Sequence, residues 1–180
     1  MPNWCYNYVT FEHEDPAMIA KLIAASKDNL FNAFVPMPEE LRGTQSPSEP
    51  DSALIEKYGA SDWYSWSVDN WGTKWDTSAS DCNPYDNGKG VDMYFETAWA
   101  PPIAFFDAMV DQGFVVSGSY TEEGMGFAGV YENGEDQCID LTTLYEAGDA
   151  AQGIIDAIED HDLRIIVQEE YDRYKEWESE

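Results

Sequence analysis

The sequence predicts an α+β fold with one antiparallel sheet, and three observations carry that expectation. Segments of period-two hydrophobicity alternate with segments of helical period. The strand-like segments are bounded by turn residues, including an Asn133-Gly134 pair of the kind that closes a tight hairpin. Of the 180 residues, 43% are apolar and 14% aromatic, enough to bury a real core in a single domain.

Residues 3–12, NWCYNYVTFE, are rich in aromatic and β-branched side chains and read as the first strand. In EDPAMIAKLIAASKD, Asp15 can cap a helix and Pro16 suits its first position. Met18, Ile19, Leu22 and Ile23 then form one stripe. A second strand is expected in LFNAFVPMP, closed by Pro36 and Pro38. Residues 39–90 lose this regularity and read as an insertion after that second strand. Within it, RGTQSPSEPDS and SASDCNPYDNGKG read as polar loops, and SALIEKYG as a short helix ending at Gly59.

Order returns at VDMYFETAW. There Val91, Met93, Phe95, Thr97 and Trp99 alternate with Asp92, Tyr94, Glu96 and Ala98. PPIAFFDAMVDQG reads as a helix opened by Pro101 and Pro102, with Ile103, Phe106 and Val110 on one side and Gly113 at its end. FVVSGSY and GFAGVYE are strands joined by TEEGM, and QCIDL is the strand after the Asn133-Gly134 turn. The tail is helical, with Leu163, Ile166, Val167, Tyr174 and Trp177 at helical spacing; Gly153 weakens the helix before it. Two strand–helix–strand halves on one antiparallel sheet are the ferredoxin-like βαββαβ arrangement. Residues 1–142 are expected to form it, with an extra β-hairpin. Residues 143–180 are an acidic helical tail packed on that domain or extending from it.

NWCYN, PMPEEL, WYSWSVDNWGTKWD, FETAWAPP and YTEEGMGFAG, in that order over roughly residues 1 to 135, resemble the YubB-like ferredoxin-like family of phage and conjugative-plasmid proteins. The resemblance implies a mobile-element origin and a ferredoxin-like domain. It implies no catalytic residues. The fold name implies no iron–sulfur cluster either, since three scattered cysteines, Cys5, Cys82 and Cys138, cannot supply four thiolates.

Four of the seven tryptophans, Trp63, Trp66, Trp71 and Trp75, fall in one short stretch. Base-stacking platforms sit in basic grooves, and here Lys74 stands against Asp62, Asp69 and Asp76. A structural role is therefore expected, with the insertion folded over an edge or face of the sheet. On a helix Trp63 and Trp66 share a face, and Gly72 is free to take positive φ. A small-ligand or sugar site, or an unrecognised enzyme, is the alternative. It predicts a pocket at Trp71, Trp75 and Trp99.

Other chemistries find little support. His13 and His161 sit among carboxylates in solvated positions, and no Gly-x-Ser-x-Gly occurs. Counted from Asp81, a calcium loop fails at Tyr85 and Asp86. The glycines of YTEEGMGFAG lie beside two glutamates that would repel phosphate. No catalysis, cofactor or metal is expected. Wide, odd-numbered cysteine spacing fits free thiols in a reducing cytoplasm, here that of a host cell.

Charge is the strongest functional signal. There are 36 Asp plus Glu against 9 Lys plus Arg, a net of −27. That matches the charge on about 14 base pairs of duplex DNA. Direct binding to nucleic acid or an anionic membrane is therefore disfavoured, and a basic partner is expected. Residues 90–163 hold sixteen acids and no Lys or Arg. The candidate partner-binding surface is Asp107, Asp111, Glu122, Glu123, Glu132, Glu135, Asp136, Glu159, Asp160, Asp162, Glu169 and Glu170. Adaptation to salt and simple solubility are the plain explanations, and a generally acidic accessory protein without a DNA-mimic role is an alternative. The sharper one is a phage- or plasmid-encoded DNA mimic that occupies the basic groove of a host defence complex, CRISPR or restriction.

Overall fold

The computed structural model describes residues 3–179. Strand β1 (Trp4–Glu12) leads into α1 (Pro16–Ala25), whose N-cap is Asp15, accepting from the Ala17 N–H. Three helices follow: α2 (Glu39–Arg42), α3 (Ser52–Tyr58) and α4 (Trp63–Trp71). The chain then forms β2 (Asp81–Pro84), β3 (Gly90–Ala98), α5 (Ile103–Asp111), β4 (Val115–Glu122), β5 (Phe127–Glu132) and β6 (Glu135–Asp140). It closes with α6 (Leu141–Ala147), a 3₁₀ turn, α7 (Ala151–Asp156) and α8 (His161–Glu178). All six strands lie in one open antiparallel sheet, in the order β2-β3-β1-β4-β5-β6.

The second strand is not where the sequence reading puts it. Residues 30–35 form turns, and the second strand lies within the stretch read as the insertion, near its end, rather than before it. Leu30, Phe31 and Phe34 have helical rather than alternating spacing, and all three are buried. Asp76, 45 residues away, caps the turn by accepting from the Phe31 N–H at 2.7 Å and the Asn32 N–H at 2.9 Å. A cap supplied from so far along the chain leaves no local signature. The true second strand lies in the stretch read as polar loop. As an edge strand it pairs through its backbone on one side only, so polar side chains and a terminal Pro84 suit it.

Strand alternation assigns the two faces. Val9, Phe11, Val91, Met93, Phe95 and Val116 turn toward α1, α4 and α5. They meet Ile19, Leu22, Trp66, Trp71, Phe105, Phe106 and Met109. On α5 the buried residues are Phe105, Phe106 and Met109, with Ile103 and Val110 only partly covered, one step round from the expected stripe. Beside this core, the Asn7 side chain satisfies itself on Cys5 O, Phe95 O and Thr97 Oγ1. On the other face, Ala128 and Val130 of β5 pack against Leu141, Leu144, Ile155, Leu163, Val167 and Tyr171 of the tail. The tail thus covers the β5–β6 end of that face and leaves the β1–β3 end open.

Two of the insertion's four tryptophans belong to the first core. Trp66 and Trp71 are buried, edge to face, and Trp71 Nε1 donates to Val35 O. Asp62 caps α4 through the Tyr64 and Ser65 N–H groups, and Gly72 ends the helix at φ 84°.

Candidate functional site

The period that buries Cys5, Asn7, Val9 and Phe11 turns Trp4, Tyr6, Tyr8 and Thr10 to the open face. Register aligns these with their neighbours. Tyr8 lies between Tyr94 of β3 and Ser119 of β4, Tyr6 between Glu96 and Thr121, and Thr10 between Asp92 and Ser117. The Tyr8 and Tyr94 rings are 4.7 Å apart, and Tyr6 stacks near Tyr94 at 6.5 Å. An aromatic ridge therefore runs beside a lane of small hydroxyl residues. Beyond that lane stands α8. The space between ridge and helix is a trough.

Near the start of α8 the trough encloses about 350 Å³ between Tyr8, Ser117, Ser119, Ile165 and Ile166. Glu132, Glu135, Asp160 and Asp162 stand around it. Toward the end of α8 it encloses about 460 Å³ and meets Tyr6, Tyr94, Glu123, Glu169, Glu170 and Arg173. Local rules place these acids. Asp160 is the α8 N-cap, accepting from the Leu163 N–H at 2.8 Å, and Asp162 sits in the first turn, where the helix dipole favours an anion. Glu132 and Glu135 flank the Asn133-Gly134 turn.

Among the described residues, Arg173 is the one cation lining the trough. Its Nη1 lies 2.9 Å from Glu170 Oε2 and 3.2 Å from Glu123 Oε1, tying α8 to the β4–β5 turn. Burial pushes the Glu170 carboxyl above its ordinary value, and the Arg173 charge opposes that push. On the ridge, burial followed by the neighbouring Glu96 carboxylate raises the Tyr94 phenol to about 12. Tyr94 OH donates to Glu96 Oε1, and Thr10 and Tyr85 donate to Asp92.

Of the twelve acids singled out from sequence, seven gather here: Glu123, Glu132, Glu135, Asp160, Asp162, Glu169 and Glu170. The other five lie elsewhere. Glu122 is buried, and its carboxylate accepts from the Gly124 and Met125 N–H groups, so it offers nothing to a partner. Asp107 accepts from Tyr131 OH and Asp136 from Tyr120 OH. Tyr131 belongs to the helix-side core and pairs with Asp136 across β5 and β6, so both acids look away from the trough, as does Asp111 on α5. Glu159 borders a shallow depression beside α7. The tyrosine ridge was missed from sequence. Its signal was present in NWCYNYVTFE, whose aromatic residues at positions 4, 6 and 8 share one face.

Charge is unevenly distributed. Lys21, Lys27, Arg42, Lys57, Lys74 and Lys89 all precede β3, where Arg42, Lys57 and Lys89 pair with Glu39, Glu40 and Glu14. Of the remaining three cations, Arg164 reaches toward Ile158 O and Lys175 pairs with Glu178. Among the described charged residues lining the trough, all but Arg173 are thus acids.

The expected pocket at Trp71, Trp75 and Trp99 does not form as such. Trp71 is packed away. Trp75 instead borders a cavity of about 300 Å³ with Trp4, Asp28, Asp76 and Glu96. Its half-buried carboxylate, Asp76, is already committed to three backbone N–H groups. Burial pushes the Cys5 thiol far up, away from nucleophilic use. Among the described residues, no three His, Cys, Asp or Glu side chains are grouped to hold a metal ion. No described helix is long and apolar enough to cross a membrane.

No protein-family model matches the chain, and neither a curated protein nor a solved structure proved significantly similar to it.

Proposed function

We propose that this chain is a binding protein, not a catalyst. It takes a cationic surface of a nucleic-acid-binding protein into the acidic trough and so competes with DNA for that surface. The trough carries this reading: seven carboxylates and one arginine line a concave, tyrosine-walled surface on a rigid sheet and helix. Such a surface steers basic partners by long-range attraction, and its carboxylates pair with arginine through charge-assisted hydrogen bonds. No reaction is needed for it to act.

The setting we infer is that of a phage- or plasmid-encoded inhibitor of a host defence complex, CRISPR or restriction, whose channels hold nucleic acid on Lys and Arg. Two things support it. The sequence motifs resemble the YubB-like ferredoxin-like family. The run β2-β3-β1-β4, with α1 and α5 on one face, follows the ferredoxin-like βαββαβ order.

Capture from bacterial lysate at low and high salt tests this. Nucleic-acid-binding proteins are expected to be retained at low salt, released by added salt and displaced by duplex DNA. Retention that DNA leaves unchanged, or recovery of no such protein, overturns the reading. The cavity beside Trp4 and Trp75 supports a second reading, a small-ligand site. Quenching of tryptophan fluorescence by a soluble sugar, abolished in Trp75→Ala, would support it.

A further inference from the structure

The two halves of the trough differ in one respect. Arg173 already stands among the carboxylates of the half toward the end of α8. In the half at the start of α8 none of the described lining residues is a cation, while Glu132, Glu135, Asp160 and Asp162 surround the space.

Acidity alone would select nothing finer than positive charge. Shape selects more. Tyr8, 60% exposed, and Ile165, 43% exposed, both border this cavity over a floor of Ser117, Gly118 and Ser119. An opening of about 350 Å³ with apolar sides and an anionic margin suits an aliphatic stem with a cationic head. A bare metal ion does not suit it, since no three described acids are grouped closely enough to ligate one. Between the two long cationic side chains, arginine is favoured. Its guanidinium is planar, weakly hydrated, stacks on a tyrosine face and offers five donors to acceptors set around it, whereas an ammonium is compact and strongly hydrated.

The geometry points to an arginine socket. The cavity between Tyr8 and Ile165 takes one arginine from an extended basic segment of the partner, its stem along the two walls and its guanidinium among Glu132, Glu135, Asp160 and Asp162. This rests on the reading that the partner is basic, and adds where and by which residue it is anchored. One step along the trough Arg173 makes the charge pairing alone, to Glu170 and Glu123.

The full chain, isotope-labelled for amide chemical-shift mapping, is titrated with three short capped peptides. They carry arginine, lysine or citrulline, which keeps the shape of arginine without its charge. The arginine peptide is expected to shift the amides of Ser117, Ser119, Ile165 and Ile166 first. Lysine should bind about fivefold more weakly, and citrulline should not bind. Tyr8→Leu changes a well-exposed residue, keeps an apolar side chain and the charge while removing the ring, and should lower arginine affinity about fivefold while leaving its salt dependence unchanged. The Glu132→Gln, Asp162→Gln pair should flatten the salt dependence.

Equal binding of arginine and lysine, shifts centred elsewhere, or no effect of Tyr8→Leu would overturn the socket while the basic-partner reading stands. Absence of any shift with either cationic peptide at low salt would remove both.

Discussion

On the face of the sheet that packs against α1, α4 and α5, aromatic rings close on one another. Phe105 lies 4.6 Å from Phe31 and 6.5 Å from Phe11, ring centre to ring centre. On the opposite face the rings of Tyr6, Tyr8 and Tyr94 stand beside carboxylates and small hydroxyl side chains. The same strands supply both sets, one residue out of phase. Where the second face needs cover for stability, at β5 and β6, the tail helices supply it. Where it is left open, burial does not explain why the side chains are aromatic. That contrast is the reason to place recognition on the open face and stability on the closed one.

The contrast breaks most sharply under truncation. Phe105→Ala should cost about 3–5 kcal/mol, read from denaturant unfolding, because it empties a fully buried site. Tyr8→Ala should cost under about 1 kcal/mol. A cost for Tyr8→Ala near that of Phe105→Ala would mean the open face is packed after all.

Gly129→Ala should come next, at about 1–3 kcal/mol. A Cβ there would fall 2.2 Å from Cζ of Tyr120, whose ring occupies the space glycine leaves. A lowered midpoint with unchanged partner binding would keep this pair on the stability side.

Charge should act with opposite signs on the two properties. Replacing Glu132, Glu135 and Glu169 by Gln takes the net charge from −27 to −24, since each change adds one. Stability at low salt should rise by up to about 1 kcal/mol as self-repulsion falls, and the gain should shrink with added salt. Affinity for a basic protein should drop in the same variant. A loss of both would show that these acids hold the fold instead.

The ridge also has a pH signature. Tyr94 is held above its ordinary value, at about 12. Its contribution to stability is therefore complete below the unfolded value near 10 and is lost as pH rises through about 12. Tyr120 and Tyr131, buried and hydrogen-bonded to Asp136 and Asp107, shift the same way. Absorbance of tyrosinate should lag that of the unfolded chain between those limits. Coincident curves would contradict it. The smallest effect is expected at Trp177, 73% exposed near the end of α8, where Ala should change stability by no more than about 0.5 kcal/mol.

Much of this architecture is written locally. Asp15 and Pro16 announce α1, Gly59 and Gly72 end α3 and α4 at positive φ, and Asn133-Gly134 closes its hairpin as the dipeptide suggests. The errors came where distant residues decide. Residues 30–35 became turns because Asp76 caps them and Phe34 must reach Phe114, and the real second strand is a four-residue edge with polar side chains. The candidate site was legible as a charge imbalance but not as a surface. Acids from 123 to 170 converge only because α8 lies across β5. Glu122, indistinguishable from Glu123 in a charge count, turns inward at the β4–β5 turn.

Amide hydrogen exchange of the chain, alone and bound to a basic protein that DNA displaces, tests the assignment of recognition to the open face most directly. Protection is expected along α8 from Asp162 to Arg173 and at the two hairpin turns beside it, 122–126 and 132–135, with α1 and α5 unchanged. Protection of α1, α5 or the insertion, with α8 exchanging as freely as before, would contradict it.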